Sequence, residues 1–174
     1  MARLPYARLE DADKAPLVAR IVAERGSVLH LYQMLLHSPP LAEGWLAYLT
    51  AVRQQLTLSG ALRELIIMRV ALLNGAPYEA DQHAPIALRE GVTQAQLDAL
   101  ADWAEADCYD TTQRAVLRLT DAMTRDIHFA PEIVAAVREQ LGECGTVEAV
   151  ATIAAYNMVS RFLEALQIHS DDRR

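Results

Sequence analysis

The chain has 174 residues, enough for one compact domain with a substantial buried core. Its apolar fraction is 52% against only 6% aromatic, carried mainly by alanine and leucine, a bias that favours helix over strand. A net charge of −7, with Lys14 as the one lysine, excludes the basic stripe of a nucleic-acid binder. No apolar run reaches the ~18 residues of a membrane span and residues 1–8 lack a hydrophobic signal core, so a cytoplasmic setting is expected.

Helix punctuation is clear along the chain. A first helix is predicted over 12–24 and stops at Gly26; a short apolar segment over 28–36 follows and ends at His37-Ser38-Pro39-Pro40. Ser38 reads as an N-cap with Pro39 at the first helical position, where a missing N–H costs little. The helix it opens spaces Leu41, Trp45, Tyr48, Leu49 and Val52 for one buried face. The next begins at Ser59 or Gly60, is apolar nearly all round through Leu65–Leu73, and stops at Gly75, the pattern of a central buried helix. Pro77 starts a helix ending at Gly91. Thr93 to Gln96 reads as a capping box opening a helix to about 104, and Asp110 to Gln113 as a second one opening a helix to about 125. Pro131 begins a helix ending near Leu141, and Thr146 caps a last long helix to about 167. The polar tail from His169 to Arg174 is expected to fray. No β-branched alternation bounded by Asn-Gly or Asp-Gly turns is present. The expectation is an all-α helical bundle forming a single domain over 1–174.

The two cysteines, Cys108 and Cys144, stand 36 residues apart with no Cys-x-x-Cys or Cys/His ligand spacing, and are expected to be free thiols in a reducing compartment. His30, His37, His128 and His169 show no metal-ligand spacing and read as capping, surface or core residues.

Glu79 and His83 carry the strongest chemical signal. Residues four apart meet on one helix face, and the helix dipole in the first turn after Pro77 favours an ionised Glu79. Glu79 could then orient His83 and raise its basicity, making a general base poised near neutral pH. The bland alternative is an exposed helix pair worth a few tenths of a kcal/mol. Pro85 cannot donate to the carbonyl of Asp81, so the helix either kinks beside the pair or tolerates the irregularity. Glu64 sits at the edge of the most apolar helix and needs a partner, with Arg63, Arg69 or His83 in reach; it reads either as a structural ion pair or as a second proton-handling group. Tyr78 and Tyr156 read as pocket walls or as core. Glu79 and His83 could supply two metal ligands, but spacing offers no third, so no metal is called for.

These residues resemble the carboxymuconolactone decarboxylase and alkylhydroperoxidase D-like superfamily over roughly residues 26–168. The resemblance rests on Leu62-Arg-Glu-Leu-Ile-Ile-Met-Arg-Val-Ala71, Gly75-Ala-Pro-Tyr-Glu79 with His83, Gly91-Val-Thr93, and Tyr156-Asn-Met-Val-Ser-Arg-Phe-Leu-Glu-Ala-Leu166. Its centre, Tyr78-Glu79-Ala80-Asp81-Gln82-His83, is similar to the Tyr-Glu-Trp-x-x-His signature of one branch, with Ala80 in place of the tryptophan. The thiol peroxidase branch carries Cys-x-x-Cys-x-x-x-His and a glutamate on the preceding helix. Counted back from His83, those cysteines fall at Ala76 and Glu79, and the glutamate at Glu64. The carboxylate and imidazole are kept while both thiols are missing, so disulfide-based peroxide reduction is expected to be absent. The lactone decarboxylases share an acidic residue at the Glu79 position but not the glutamate at Glu64.

The resemblance implies an AhpD-like all-α fold, a small-molecule substrate, no cofactor, and assembly into a homo-oligomer, whether dimer, trimer or hexamer. No nucleic-acid or membrane partner is expected. The favoured reading is proton-transfer catalysis, with decarboxylation of a carboxylated lactone or keto acid as its concrete form. In that reading His83 is the acid/base, Glu79 orients it, Glu64 completes the relay, and Tyr78 and Tyr156 shape the pocket. Arg69 either holds a substrate carboxylate or pairs with Glu64. The other readings are peroxidase-type activity and a non-catalytic small-molecule-binding or scaffold protein.

Overall fold

The computed structural model describes residues 2–172, which are all-helical apart from turns and connecting segments and divide into two compact units. The first unit comprises the chain up to Gln55 together with the stretch from Leu163 onward; the second is Leu56–Phe162.

In the first unit, α1 (Ala15–Arg25) ends at Gly26, whose φ of 80° is the left-handed conformation that lets its N–H close back on Val22. Next comes α2 (His30–Leu35), and α3 (Pro39–Gln54) opens on two prolines after Ser38. Ser38 occupies the cap position, yet its side chain makes no capping bond; the prolines remove two of the orphan N–H groups of the first turn, one of them a group such a cap would satisfy. Ile21, Leu35, Leu36, Ala42 and Leu46 are buried here. The tail differs from expectation. Tyr6 donates to Asp172 (2.6 Å), the His30 ring meets the His169 carbonyl (3.1 Å), and Arg3 N–H donates to Leu166 (2.9 Å). These long-range bonds hold the chain as far as Asp172, where composition alone predicts fraying; Arg173 and Arg174 lie outside the described residues.

In the second unit, α4 (Gly60–Asn74) is the central helix and packs against α5 (Pro77–Arg89) and α7 (Thr111–Arg125). Ser59 caps α4 by accepting from the Leu62 N–H, and Gly75 ends it in the left-handed region. Leu65, Ile66, Ile67 and Val70 are fully buried, as an all-round apolar helix requires. The break between α4 and α5 is only Gly75-Ala76, so the two helices form a hairpin. α5 continues through Pro85 to Arg89. Both predicted capping boxes are complete, Thr93 with Gln96 opening α6 (Gln94–Ala99) and Asp110 with Gln113 opening α7. Past Ala99 the chain tightens into a 3-10 turn, Leu100–Asp102, so α6 is shorter than predicted.

The last element, α8 (Pro131–Leu166), is broken at Gly142, which adopts φ 68° and ψ −174°. The second stretch therefore starts before Thr146. That threonine is not its cap: it sits within the helix and its hydroxyl donates to the Gly142 carbonyl at 2.6 Å. From Leu163 onward α8 belongs to the first unit. No helix among the described residues is long and apolar enough to cross a membrane.

Candidate active site

The site is built inside the second unit from three helices: Glu64 on α4, Glu79 and His83 on α5, and Tyr156 and Ser160 on α8. Glu64 lies in the second turn of a helix with no polar face, so its carboxylate is carried into the interior and is only 1% exposed. It is not left alone there. His83 Nδ1 approaches Glu64 Oε2 at 2.7 Å, and Arg63 Nε donates to Glu64 Oε1 at 3.2 Å. Arg63 also lies 3.6 Å from Glu90. Burial pushes the Glu64 carboxyl up, but the hydrogen bond and charge of His83, with Arg63 behind them, outweigh burial and hold it below the ordinary carboxylate range.

An ionised Glu64 can only accept, so Nδ1 of His83 carries the hydrogen of their bond. In the neutral ring the lone pair then resides on Nε2. The arrangement is a carboxylate-oriented imidazole, in which one carboxylate fixes the tautomer. The Tyr156 ring stands edge-on to the imidazole, with centroids 5.1 Å apart and planes at 88°. One turn further along α8, the Ser160 hydroxyl is in hydrogen-bond contact with Glu79 Oε2 and with the Tyr156 carbonyl oxygen, the latter at 2.8 Å. Glu79 is 1% exposed, and Tyr78 beside it is buried.

Glu64, Glu79, His83 and Tyr156 thus come together. Of the three partners considered for Glu64, His83 and Arg63 both serve it. The expected division of roles changes: the carboxylate at Nδ1 of His83 is Glu64, while Oε2 of Glu79 meets Ser160. The reading that pairs Arg69 with Glu64 is corrected. Its guanidinium grips Asp121 with two bonds (2.6 and 2.8 Å) and donates to the carbonyls of Leu100 (2.8 Å) and Ala101 (3.1 Å). The four bonds leave one of its five N–H groups for anything else, and the carboxylate its fork is matched to is Asp121, not Glu64. Asp121 was out of reach of spacing arguments, being 52 residues from Arg69.

Ser160 is the site residue that sequence reasoning missed. A usable signal exists: Ser160 falls four residues after Tyr156, so the same helix face must present both. Cys108 and Cys144 are free and exposed. Among the described residues no three His, Cys, Asp or Glu side chains are grouped so as to hold a metal ion.

Residues 39–122 match the carboxymuconolactone decarboxylase family, a stretch that includes Glu64, Glu79 and His83 and stops short of α8. The uncharacterized protein YdfG of Bacillus subtilis (strain 168) is 30% identical over 115 residues, covering 65% of this chain and 78% of that protein. Among solved structures, an uncharacterized peroxidase-related protein with an alkylhydroperoxidase AhpD core, from Ralstonia eutropha JMP134, superposes with a TM-score of 0.83 at 20% identity, over 98% of this chain and 93% of that one. The debrominase Bmp8, in complex with 2,3,4-tribromopyrrole, gives a TM-score of 0.79 at 19% identity, over 96% of this chain and 92% of that one. At such identities the likeness is one of fold, and it agrees with the all-α AhpD-like architecture described above. With the sequence match running through the α4–α5 hairpin, and with a relative 30% identical of which the chain covers 78%, the protein belongs to the carboxymuconolactone decarboxylase family.

Proposed function

We propose that the protein is a small-molecule enzyme that works by proton transfer at His83. The observation that carries this reading is the buried 2.7 Å bond between His83 Nδ1 and Glu64, which fixes the imidazole tautomer on a hairpin inside the stretch that matches the family. Decarboxylation of a carboxylated lactone or keto acid is its concrete form. The carbon–carbon bond to the carboxylate breaks, carbon dioxide leaves, the electron pair passes into an enolate, and a proton delivered by His83 Nε2 completes the new carbon–hydrogen bond. Such a reaction asks for a positioned proton donor and stabilisation of developing charge. Glu64 serves as the positioning residue for His83, and Tyr78 and Tyr156 serve as walls. A small substrate is supported by a relative of the same fold, a debrominase bound to a tribromopyrrole. By analogy with the superfamily we expect a homo-oligomer.

His83→Ala should lower turnover by at least the ~10²–10⁴-fold that general acid–base catalysis supplies, with unchanged helical circular dichroism. Retained turnover would rule the assignment out. Peroxidase chemistry through thiols is the competing activity, suggested by the fold shared with a peroxidase-related protein. Ala76 and Glu79 occupy the places of the redox cysteines, so any peroxide consumption should survive replacement of both Cys108 and Cys144 by serine. Its loss in that variant would revive the thiol mechanism.

A further inference from the structure

Arg63 stands behind the site and serves two carboxylates. Its Nε–H donates to Glu64 Oε1 at 3.2 Å, the oxygen that His83 does not use, and a terminal nitrogen of its guanidinium lies 3.6 Å from Glu90. Glu90 follows the last residue of α5, and its carboxylate lies over Gly60, the first residue of α4; a Cβ at Gly60 would fall on that carboxylate. The N-terminal end of a helix attracts such a group. When His83 is protonated, His83, Glu64, Arg63 and Glu90 form a row of alternating charge, all within the second unit. The row starts dry and ends in water: the Arg63 side chain is 12% exposed and that of Glu90 42%.

We propose that Arg63 and Glu90 are positioning residues that set the basicity of His83 through Glu64, with Arg63 lowering it and Glu90 restoring part of it. An imidazolium at Nδ1 is steadied by the negative charge of Glu64. Arg63 offsets that charge, so the ring gains less by taking up a proton. Glu90 offsets Arg63 in turn, and because it is partly hydrated it returns only a fraction of what Arg63 removes. Burial works against the charge on Glu64, while His83 and then Arg63 favour it. The guanidinium that helps to keep Glu64 ionised is therefore also the one that restrains the imidazole. The remaining titratable side chains of the site, Glu79 on α5 and Tyr156 on α8, stay unchanged in the variants below. One consequence rests on the proton-transfer reading: the row keeps His83 near the balance at which one ring serves as both base and acid.

The test reads the imidazole itself and needs no substrate. In nuclear magnetic resonance titrations of the full-length protein, the ring signals of His83 are those missing from His83→Ala. Arg63→Met should move their midpoint up by about half a pH unit or more, because a positive charge one carboxylate away is removed. Glu90→Gln should move it down by roughly a few tenths of a unit, because Arg63 is then left wholly to Glu64. Arg63→Lys keeps the charge and should lie nearer the natural protein than Arg63→Met does. With Arg63→Met already in place, Glu90→Gln should shift the midpoint by less than it does alone, since its route to the ring is gone. The Glu90→Gln and Arg63→Lys arms stand even where Arg63→Met does not fold. An unmoved or raised midpoint in Glu90→Gln overturns the proposal; so does a lowered one in Arg63→Met, or an equal effect of Glu90→Gln with and without Arg63. Retained turnover in His83→Ala would remove the catalytic consequence and leave these titrations standing.

Discussion

Replacing Glu64 by glutamine keeps the side chain's shape and removes its charge. In the folded protein this carboxylate accepts from His83 at 2.7 Å and from Arg63 at 3.2 Å. A hydrogen bond to a charged group contributes about 1.5–3 kcal/mol, against about 1 kcal/mol between neutral partners. Downgrading two such bonds should cost about 2 kcal/mol near pH 7. Burial opposes this, since an ionised group that is only 1% exposed has lost its hydration; the downward shift of its carboxyl says that pairing wins. The sign with pH follows from that shift. Because Glu64 is held below its ordinary 4.5, its ionisation stabilises the fold fully above that value and progressively less as pH falls through the lower folded-state value. The gap between the natural protein and Glu64→Gln should therefore be widest near neutrality and narrow as pH falls below the ordinary 4.5 and through the lower folded-state value. Urea unfolding followed by helical circular dichroism reads it directly: with a slope of about 2 kcal/mol/M, the midpoint should drop by about 1 M near pH 7. Equal midpoints there, or a gap that widens on acidification, would refute the reasoning and show that desolvation outweighs pairing.

Arg69→Met should cost about 3 kcal/mol, because Asp121 loses its two-bond partner and the Leu100 and Ala101 carbonyls lose their donor, while Arg125, 3.3 Å from Asp121, still offsets part of the charge. Adding Asp121→Asn should recover part of the loss in the same urea assay, and a double variant no better than the single one would contradict the pairing. Gly142→Ala should cost about 1–3 kcal/mol, since φ 68° with ψ −174° lies in a region essentially reserved for glycine. No neighbouring atom lies within 4 Å of the added Cβ, so the cost is purely of backbone. An unchanged melting temperature would mean that α8 passes through this point as ordinary helix.

Much of this fold is legible from local chemistry. Gly26 and Gly75 end their helices in left-handed conformations, and Thr93 and Asp110 form complete reciprocal caps, because each signal acts within a few residues. Thr146 misled for the same reason: its type and position suit a cap, but the boundary belongs to Gly142, whose backbone no side-chain rule announces. The tail of the chain was misread because what holds Asp172 is Tyr6, 166 residues away. In the site, His83 was legible from its motif and Glu64 from its placement on an apolar helix. The choice of partner for each carboxylate was not, because it depends on how α4, α5 and α8 are rotated about their axes. Arg69 shows the same limit, since a guanidinium near an apolar run says nothing of which distant aspartate will meet it.

The site's residues come from two sources with different tolerance to change. The hydrogen-bonded pair, Glu64 and His83, stands on one hairpin with a two-residue connection, whereas Tyr156 and Ser160 arrive on α8, outside the stretch that matches the family. Mutational drift on α8 can therefore alter what the imidazole faces without touching the geometry that fixes its tautomer. Descendants of such a chain could acquire new substrates by exchanging residues of one helix, inheriting the acid–base pair intact.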